Sequence, residues 1–496
     1  MSVAWKVIKF GGSSVSVPEH WEKISQIISH HLAQGFRPLV VFSAFKNVSN
    51  LLEALLHQAK ANVHQTAITH LKELHIGYAA QLGVDTSCLD EWFIQLSNTC
   101  EIIANEQTIS AKNHAMIVAT GELLSSTIGE KYLAKQLGNT CWQDARAILK
   151  STQQSNAWQH YTNADCTYEA SALWQQQLAR LPDVVITQGF IASDQQNDTV
   201  LLGREGSDTS ASYLAAIVQA KAIEIWTDVP GVFTANPQEL SAARRINCLT
   251  YEQAEIMAKC GAKVLHPRAI QPAKQNHIDI EVRCTHAPHL GGTSIITKNK
   301  FHLQQFDFNK NQLLSIAKEE NVVWLVLPQP VRSAYNELVF RLCQIGFNLL
   351  LEVDAADDDP FNLHLIFIYL NTDKPQPELE QLIQVVANKN IKIHSNYTML
   401  SLIGVTELPE KSLIEHCLHT NIQSNSRIAP ITCLTHNRYT QFIILGRDCT
   451  ELYAKLHAVW FNNGIDSSVI NNDCGKNPPV DNQLFSSSWQ ALVQQT

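Results

Sequence analysis

Three short stretches carry side chains able to handle charged ligands. Lys9-Phe-Gly-Gly-Ser-Ser14 closes an apolar strand candidate. Glycines let a backbone approach phosphate oxygens, serines add hydroxyl donors, and Lys9 brings a charge able to stay with a moving phosphoryl group. The stretch is not a Walker loop, because GxxxxGKS is absent. Gly203-Arg-Glu-Gly-Ser-Asp208 places a cation and two anions on one turn before a helical period. Arg204 suits a bidentate carboxylate clamp, and the Gly206-Ser207-Asp208 backbone suits an anion at a helix N-terminus. Asp208 could orient Lys9 or a metal-bound phosphate. Thr120-Gly-Glu122 offers a carboxylate to a ligand amine. Each stretch also has a plainer reading: a Gly-Ser turn with a solvated lysine, an N-cap at Ser207 or Asp208, and a first-turn Glu that complements a helix dipole. Asp228 with Pro230-Gly231 fits an ordinary turn. Lys263 could reach phosphates, whereas His266 before Pro267 is read as structural.

The elements that must position these residues follow from periodicity. Ala4 to Phe10 reads as a strand, a helix starting at Pro18-Glu19 runs through Trp21, Ile24, Ile28 and Leu32 to Gly35, and Pro38 to Ser43 is the next buried strand. Strand, glycine loop, helix, strand implies a parallel sheet. Residues 51 to 111 are mostly helical by period. Met116 to Ala119 reads as a short strand ending at Thr120-Gly-Glu122, with a helix to Leu137. Cys141 to Ile148 reads as an edge strand and turn, 168–180 as helix, and Val184 to Phe233 as strand, turn, strand, anion turn, helix, strand and Asp-containing turn. In open α/β sheets such strand-to-helix turns fall at the carboxyl edge, where ligands bind. A helix at Tyr251–Lys259 and strands at Ile278–Cys284 and Ile295-Ile296 complete this part.

Composition shifts near residue 300, and FHLQQFDFNKNQ reads as a linker. Strands are expected at 313–317, 322–327, 348–353, 363–370, 391–395, 399–404, 422–426, 431–435 and 441–445. Helices are expected at 331–345, 377–388, 410–418 and 450–461. These form two rounds of a β/α/β/β/α/β unit, a repeat of roughly seventy to eighty residues, more often regulatory or dimerising than catalytic. Residues 466–496 read as a polar tail with one weak helix at its end.

With 37 Lys and Arg against 46 Asp and Glu, the net charge is −9, and no polybasic block is present, so nucleic acid is not an expected partner. The N-terminus does not fit a signal peptide, and no apolar run is long enough to span a membrane. Twelve scattered cysteines without CxxC pairs fit reduced thiols, a cytoplasmic protein and no metal site.

Taken together, the motifs resemble the amino-acid kinase family and, within it, the aspartate kinases. KFGGSSV at 9–15 is similar to that family's KFGGTSV, SAFKNVSN at 43–50 to SAxxGxTN, TGE at 120–122 to (H/T)GE, and QGFIASD at 188–194 to QGFIG. LGREGSD at 202–208 resembles LGRGGSD, and WTDVPGVFTANPQ at 226–238 resembles WTDVxGIYTTDPR. GAKVLHP at 261–267 and GGT at 291–293 match unchanged. The resemblance implies an open, mostly parallel α/β sheet sandwiched by helices over residues 1–300. It implies a linker at 301–311, two α+β ferredoxin-like ACT domains at 312–465, and a tail at 466–496. It implies phosphoryl transfer from ATP, with Mg²⁺, to the side-chain carboxylate of L-aspartate, on the way to lysine, threonine and methionine. Lys9 and Asp208 are the implied catalytic pair. Ser43, Ser49, Glu122, Arg204 and Ser207 are the implied substrate contacts, with Glu122 on the amino group and Arg204 on the α-carboxylate. Gly11, Gly12, Ser13, Thr227, Asp228, Phe233 and Lys263 are the implied nucleotide contacts. A lysine or threonine effector and a homodimer or larger assembly through the ACT pair are implied as well.

The chain departs from the pattern at Lys46-Asn47, Glu205, Asn236 and Gln238. Gln329 to Tyr335 also lacks the glycine turn of an effector-binding helix, and Leu351-Glu352 displaces an expected Asp, which puts feedback in question. The alternative is therefore a catalytically impaired homologue acting as an amino-acid-binding regulatory subunit. A third reading is a kinase half split from a fusion with diaminopimelate decarboxylase.

Overall fold

Strand β1 (Trp5–Phe10) is buried along its whole length and sends successive side chains to opposite faces. Trp5 and Val7 join one hydrophobic cluster, and Ile8 and Phe10 join another. Strand β2 (Arg37–Phe42) divides the same way, with Leu39 and Val41 against Val40 and Phe42. A strand apolar on both faces needs helices on both sides, which is the parallel α/β arrangement. The computed structural model describes residues 4–154, 156–262, 265–298 and 300. Beyond these it describes 313–328, 338, 339, 342, 347–354, 362–369, 392–404, 432–436, 439–445, 449–461 and 485–488.

After β1 come α1 (Gly12–Val15), α2 (His20–Ala33) and β2, then α3 (Val48–Lys60), α4 (Gln65–Gln81), α5 (Asp90–Glu106) and α6 (Ala111–Leu137). Next are β3 (Thr140–Trp142), α7 (Ala145–Ile148), α8 (Ala157–Thr162), α9 (Ala172–Ala179), β4 (Val184–Gln188), β5 (Ile191–Ser193) and β6 (Thr199–Leu201). They are followed by α10 (Gly206–Val218), β7 (Ala222–Thr227), β8 (Val232–Phe233), β9 (Arg244–Ile246), β10 (Cys248–Thr250), α11 (Tyr251–Lys259), α12 (Pro267–Gln275), β11 (Asp279–Cys284) and β12 (Gly292–Ile296). The main sheet has the order β10-β12-β11-β7-β1-β2-β4-β3, parallel throughout except where β11 meets β12. The chain leaves β1 for β2 on one side and returns on its other side as β7. This reversal opens a crevice at the carboxyl ends of β1, β2 and β7.

The expected strand at Met116–Ala119 is instead the first part of α6, a helix of 27 residues capped by Ser110, whose hydroxyl accepts the Asn113 N–H. Ala115, Ile117, Val118 and Ala119 are buried on all sides, and a short buried apolar run carries no period that separates strand from helix.

Six further strands form an antiparallel sheet: β13 (Leu313–Pro328), β14 (Phe347–Asp354), β15 (Asn362–Tyr369), β16 (Lys392–Gly404), β17 (Thr432–His436) and β18 (Tyr439–Leu445), in the order β14-β15-β13-β16-β18-β17. The strand pair expected at 313–317 and 322–327 is a single strand, as is the pair expected at 391–395 and 399–404. The polar Glu319-Glu320-Asn321 imitates a turn, but the structure absorbs it as a register shift at which Asn321 has φ +57°. Residues 338, 339 and 342 are helical, and α13 (Cys449–Phe461) matches its expected helix. The linker, the helices expected at 377–388 and 410–418 and the strand at 422–426 lie outside the described residues. In the polar tail, Phe485–Ser488 is a strand, β19, pairing antiparallel with β9.

The C-terminal sheet is tied to the first one at Thr234. The Thr234 carbonyl accepts the Ile316 N–H at 2.7 Å, its hydroxyl is 2.9 Å from Nε2 of His457, and the Tyr453 hydroxyl accepts the Asn236 N–H at 2.7 Å.

One buried ionic cluster braces the helix-covered face. Glu224 of β7 lies 2.6 Å from Nζ of Lys6 and 3.0 Å from Nε2 of His31, and it accepts the Trp226 indole N–H at 2.9 Å. Burial opposes its charge, but the His31 hydrogen bond and the His31 and Lys6 charges outweigh burial and hold the carboxyl at about 2. Removing one partner strands the others, so Glu224→Ala is expected to cost about 3–5 kcal/mol in chemical denaturation. Because the folded pKa lies below the ordinary value, the stabilisation is complete above the unfolded pKa and is lost as pH falls toward about 2. An acid limb of the stability curve identical in wild type and Glu224→Gln would contradict this.

Candidate active site

The glycine loop after β1 is held by its neighbour strand. The Trp226 carbonyl accepts the Gly11 N–H at 3.0 Å and the Ser14 hydroxyl at 3.3 Å, and the Ser14 hydroxyl lies 2.7 Å from that of Thr285. Gly12 touches the segment after β2 so closely that a Cβ there would lie 2.8 Å from the Ala44 carbonyl oxygen, so only glycine fits. Lys9 leaves β1 on the face covered by α10, where its Nζ is 2.5 Å from Oδ1 of Asp208. Both residues are buried, and the contact is a close ion pair rather than an aligned hydrogen bond at that oxygen. Lys9 Nζ also lies 3.5 Å from where a Gly11 side chain would begin, so the ammonium sits beside the glycine loop.

A cavity of about 1140 Å³ opens next to this pair. Gly12, Ser43, Ser49, Glu122, Arg204 and Ser207 line it together, although they come from the loop after β1, the segment after β2, α3, α6 and the turn before α10. Two helices point their N-termini there without a side-chain cap: α3, preceded by Asn47 at φ +69°, and α10, preceded by Glu205 at φ +51°. The positive ends of two helices make this wall attractive to anions. Ser207 packs over Gly189, where a Cβ would lie 2.5 Å from that of Ser207.

Glu122 occupies the middle of α6. Its neighbour Gly121 lets the helix lie against Ala44, and Ser125 donates to the Ser43 carbonyl at 2.8 Å. The Glu122 carboxyl is pushed up to about 8 by burial, against the lowering effect of the Ala44 backbone N–H it accepts. Its Oε2 is buried without a partner. A cavity-lining carboxyl with one unpaired oxygen is a receptor for a cation or a donor.

Thr227 is half-buried, Asp228 is exposed, and the Thr227 hydroxyl donates to Oδ1 of Asp228 at 3.0 Å. Neither lines the cavity, and the Phe233 ring lies in the hydrophobic core. Ser13 is half-buried in α1, and Lys263 is outside the described residues. Asn236 and Gln238 are used locally: Oδ1 of Asn236 accepts the Gln238 N–H at 3.1 Å.

Sequence reading missed Asn163 and Arg268. Arg268 donates to Asn163 Oδ1 at 2.5 Å, to the Leu202 carbonyl at 2.7 Å, to the Ala164 carbonyl at 2.5 Å and to Asp165 at 2.6 Å. This staple braces the turn carrying Arg204. A lone arginine after His-Pro gave no sign of it, because every partner is distant in the chain. His266 is structural in part, since its Nδ1 accepts the Arg268 N–H as N-cap of α12, but it also lines the cavity.

A parallel sheet with a glycine loop, a buried Lys–Asp pair and an anion-attracting cavity at its switch point defines a class of phosphoryl-transferring proteins. The amino acid kinase family matches residues 4–284, and the chain belongs to that family. Its relatives there are aspartokinases. The lysine-sensitive aspartokinase 3 of Escherichia coli (strain K12) is 31% identical over 465 residues, 92% of this chain and 99% of that protein. The chloroplastic aspartokinase 1 of Arabidopsis thaliana is 26% identical over 494 residues, 96% of this chain and 83% of that protein. The crystal structure of E. coli aspartokinase III in complex with aspartate and ADP shares the fold, with a TM-score of 0.74 at 24% identity, covering 92% of this chain and 100% of that one.

The raised Glu122 carboxyl has a measurable consequence. Its folded pKa, about 8, exceeds the ordinary 4.5, so the folded chain keeps a proton that the unfolded chain releases. This contribution to stability therefore falls as pH rises from about 4.5 to about 8. Glu122→Gln imitates the neutral form and is expected to flatten that part of the decline in thermal unfolding. Parallel wild-type and variant curves would contradict the assignment.

Proposed function

We propose that this chain is an aspartate kinase that transfers the γ-phosphoryl group of ATP to the side-chain carboxylate of L-aspartate. The observation that carries the reading is the cavity itself, in which Glu122, Arg204 and two uncapped helix ends stand next to the buried Lys9–Asp208 pair. Aspartate brings one cation and two carboxylates, and the cavity offers complementary partners for them. Arg204 receives the α-carboxylate, and Glu122, with its unpaired oxygen, receives the ammonium. Ser43, Ser49 and Ser207 supply hydroxyls. Lys9, positioned by Asp208, stabilises charge on the moving phosphoryl group, and Gly12 and Ser13 offer N–H groups to phosphate oxygens, while Gly11, whose N–H is held by the Trp226 carbonyl, fixes the loop beside them. Thr227, Asp228, Phe233 and Lys263 are assigned to the nucleotide side. The attacking carboxylate is already ionised at neutral pH, so no general base is required.

Among the described residues no group of His, Cys, Asp and Glu side chains is arranged to hold a metal ion. Mg²⁺ is assigned to the nucleotide phosphates, where it would supply charge neutralisation. Lysine as an effector, and assembly through the C-terminal sheet, are part of the same proposal. The relative in E. coli is lysine-sensitive, and a structure of E. coli aspartokinase III with lysine and aspartate shares the fold at a TM-score of 0.69. The described cysteines are unpaired, which supports a reducing, cytoplasmic setting. Among the described residues no helix is long and apolar enough to cross a membrane. The intact Lys9–Asp208 pair and the well-placed Glu122 favour an active enzyme over an impaired regulatory homologue.

Hydroxylamine trapping of acyl phosphate with Mg-ATP and L-aspartate tests the reading. The wild type is expected to give product, and Lys9→Ala about 10²–10³-fold less. Arg204→Ala is expected to raise KM for aspartate about ten- to a hundred-fold, the loss of one charge-assisted contact. No product from wild type, or equal product from Lys9→Ala, would sink the proposal. Lysine added to the same assay is expected to inhibit.

A further inference from the structure

Glu205 precedes α10 in the left-handed conformation, with φ +51° and ψ 31°. A residue bearing a Cβ loses about 1–2 kcal/mol there, whereas glycine does not. The side chain offers no cap to α10 that would offset this cost. What it does contact is the cavity. Glu205 lines it beside Arg204, and its carboxylate accepts the backbone N–H of His266. His266 is the N-cap of the nine-residue α12, so the carboxylate sits at the positive end of a helix. The charged groups facing it are Asp208, which repels it, and Arg204 and Lys9, which attract it. Its surface is open to the cavity, while the walls enclose it enough for burial, with help from Asp208, to raise its carboxyl above the usual range.

We infer that Glu205 is a specificity-determining residue: a tethered carboxylate that competes with the substrate's own carboxylate for Arg204 and the amino end of α12. The inference rests on reading this cavity as the amino-acid site. A tethered group acts at a high effective concentration, so an incoming carboxylate meets an anion that already holds the His266 N–H and is attracted by Arg204. Displacing it leaves a second negative charge near Asp208, which weakens the bound state. Among the contacts described Glu205 makes no hydrogen bond or ion pair with Lys9 or Asp208 and reaches them only through longer-range charge effects, so its main effect falls on binding rather than on phosphoryl transfer. The signature is a raised KM for the amino acid with little change in kcat.

Two variants separate charge from bulk. Glu205→Gly removes both, and Glu205→Gln keeps the size and an acceptor for the His266 N–H. Titration calorimetry with L-aspartate is expected to show about three- to ten-fold tighter binding in each variant. KM should fall by the same factor, with kcat within about twofold. Affinity equal to or weaker than wild type in both variants overturns the inference. Tighter binding in Glu205→Gly alone also overturns it, because bulk rather than charge would then be the cause. Calorimetry needs no turnover, so the outcomes separate: a wild type that makes no acyl phosphate removes the kinase reading, whereas turnover with unchanged affinities removes only the role of Glu205.

Discussion

Lys9 and Asp208 can be buried only as a pair. Either charge alone, taken from water into this crevice, would cost several kcal/mol, whereas together at 2.5 Å they are tolerated. The pair in turn dictates much of the architecture around it. Lys9 must leave β1 on the face covered by α10, which the alternation of Trp5, Val7 and Lys9 against Ile8 and Phe10 secures. Asp208 must sit in the first turn of α10, so the turn from Gly203 to Ser207 cannot drift. Arg268 holds that turn through the Leu202 carbonyl and Asn163, and Gly189 lets Ser207 pack flat beneath it. The ion pair, the staple and the two tight glycine contacts are parts of one arrangement, and it coincides with the switch point of the sheet.

Glu122 is in the opposite condition. It is as deeply buried as Asp208 but lacks a cation, so it keeps its proton up to about 8 and leaves one oxygen unpaired. A buried carboxyl raised by burial at the wall of a cavity is a pattern that marks functional sites. A ligand bearing an ammonium would complete Glu122 as Lys9 completes Asp208. The two carboxyls thus differ in one respect: Asp208 has its cation built in, and Glu122 has none among the described contacts.

Much of this was legible in the sequence because it is local. The strand-glycine-helix alternation implies the parallel sheet, and the turn read at Gly203–Asp208 does precede a helix, α10, at the cavity wall. Glu122 sits within α6 rather than at a strand end, since the apolar run before it is buried all round and shows neither the period of a strand nor that of a helix. Arg268 and Asn163 were missed because their partners lie far away in the chain. The two long strands β13 and β16 were each read as a pair, because polar residues at an irregular register look like a turn. Strand β19 was invisible for a different reason. Phe485–Ser488 is polar and short, and only the edge of β9 gives it a partner.

The edge that β19 joins belongs to a small ribbon shared by both halves of the chain. Strand β8 is two residues long and follows the turn Thr227–Gly231, and its continuation at Thr234 is bound from four directions. The Thr234 carbonyl accepts the Ile316 N–H, and its hydroxyl accepts the Arg244 N–H at 2.9 Å and meets His457. The Ser315 hydroxyl donates to the Phe233 and Thr234 carbonyls. A strand this short has no independent stability, so its position is set by whatever holds it. Here the holders are β9 on one side and β13 with α13 on the other. A displacement of β13 must either break these bonds or carry Thr234 with it, and the turn at Thr227–Gly231 is joined to Thr234 through β8. Coupling between the C-terminal sheet and the edge of the crevice therefore needs no long chain of contacts, because both are built on the same few residues.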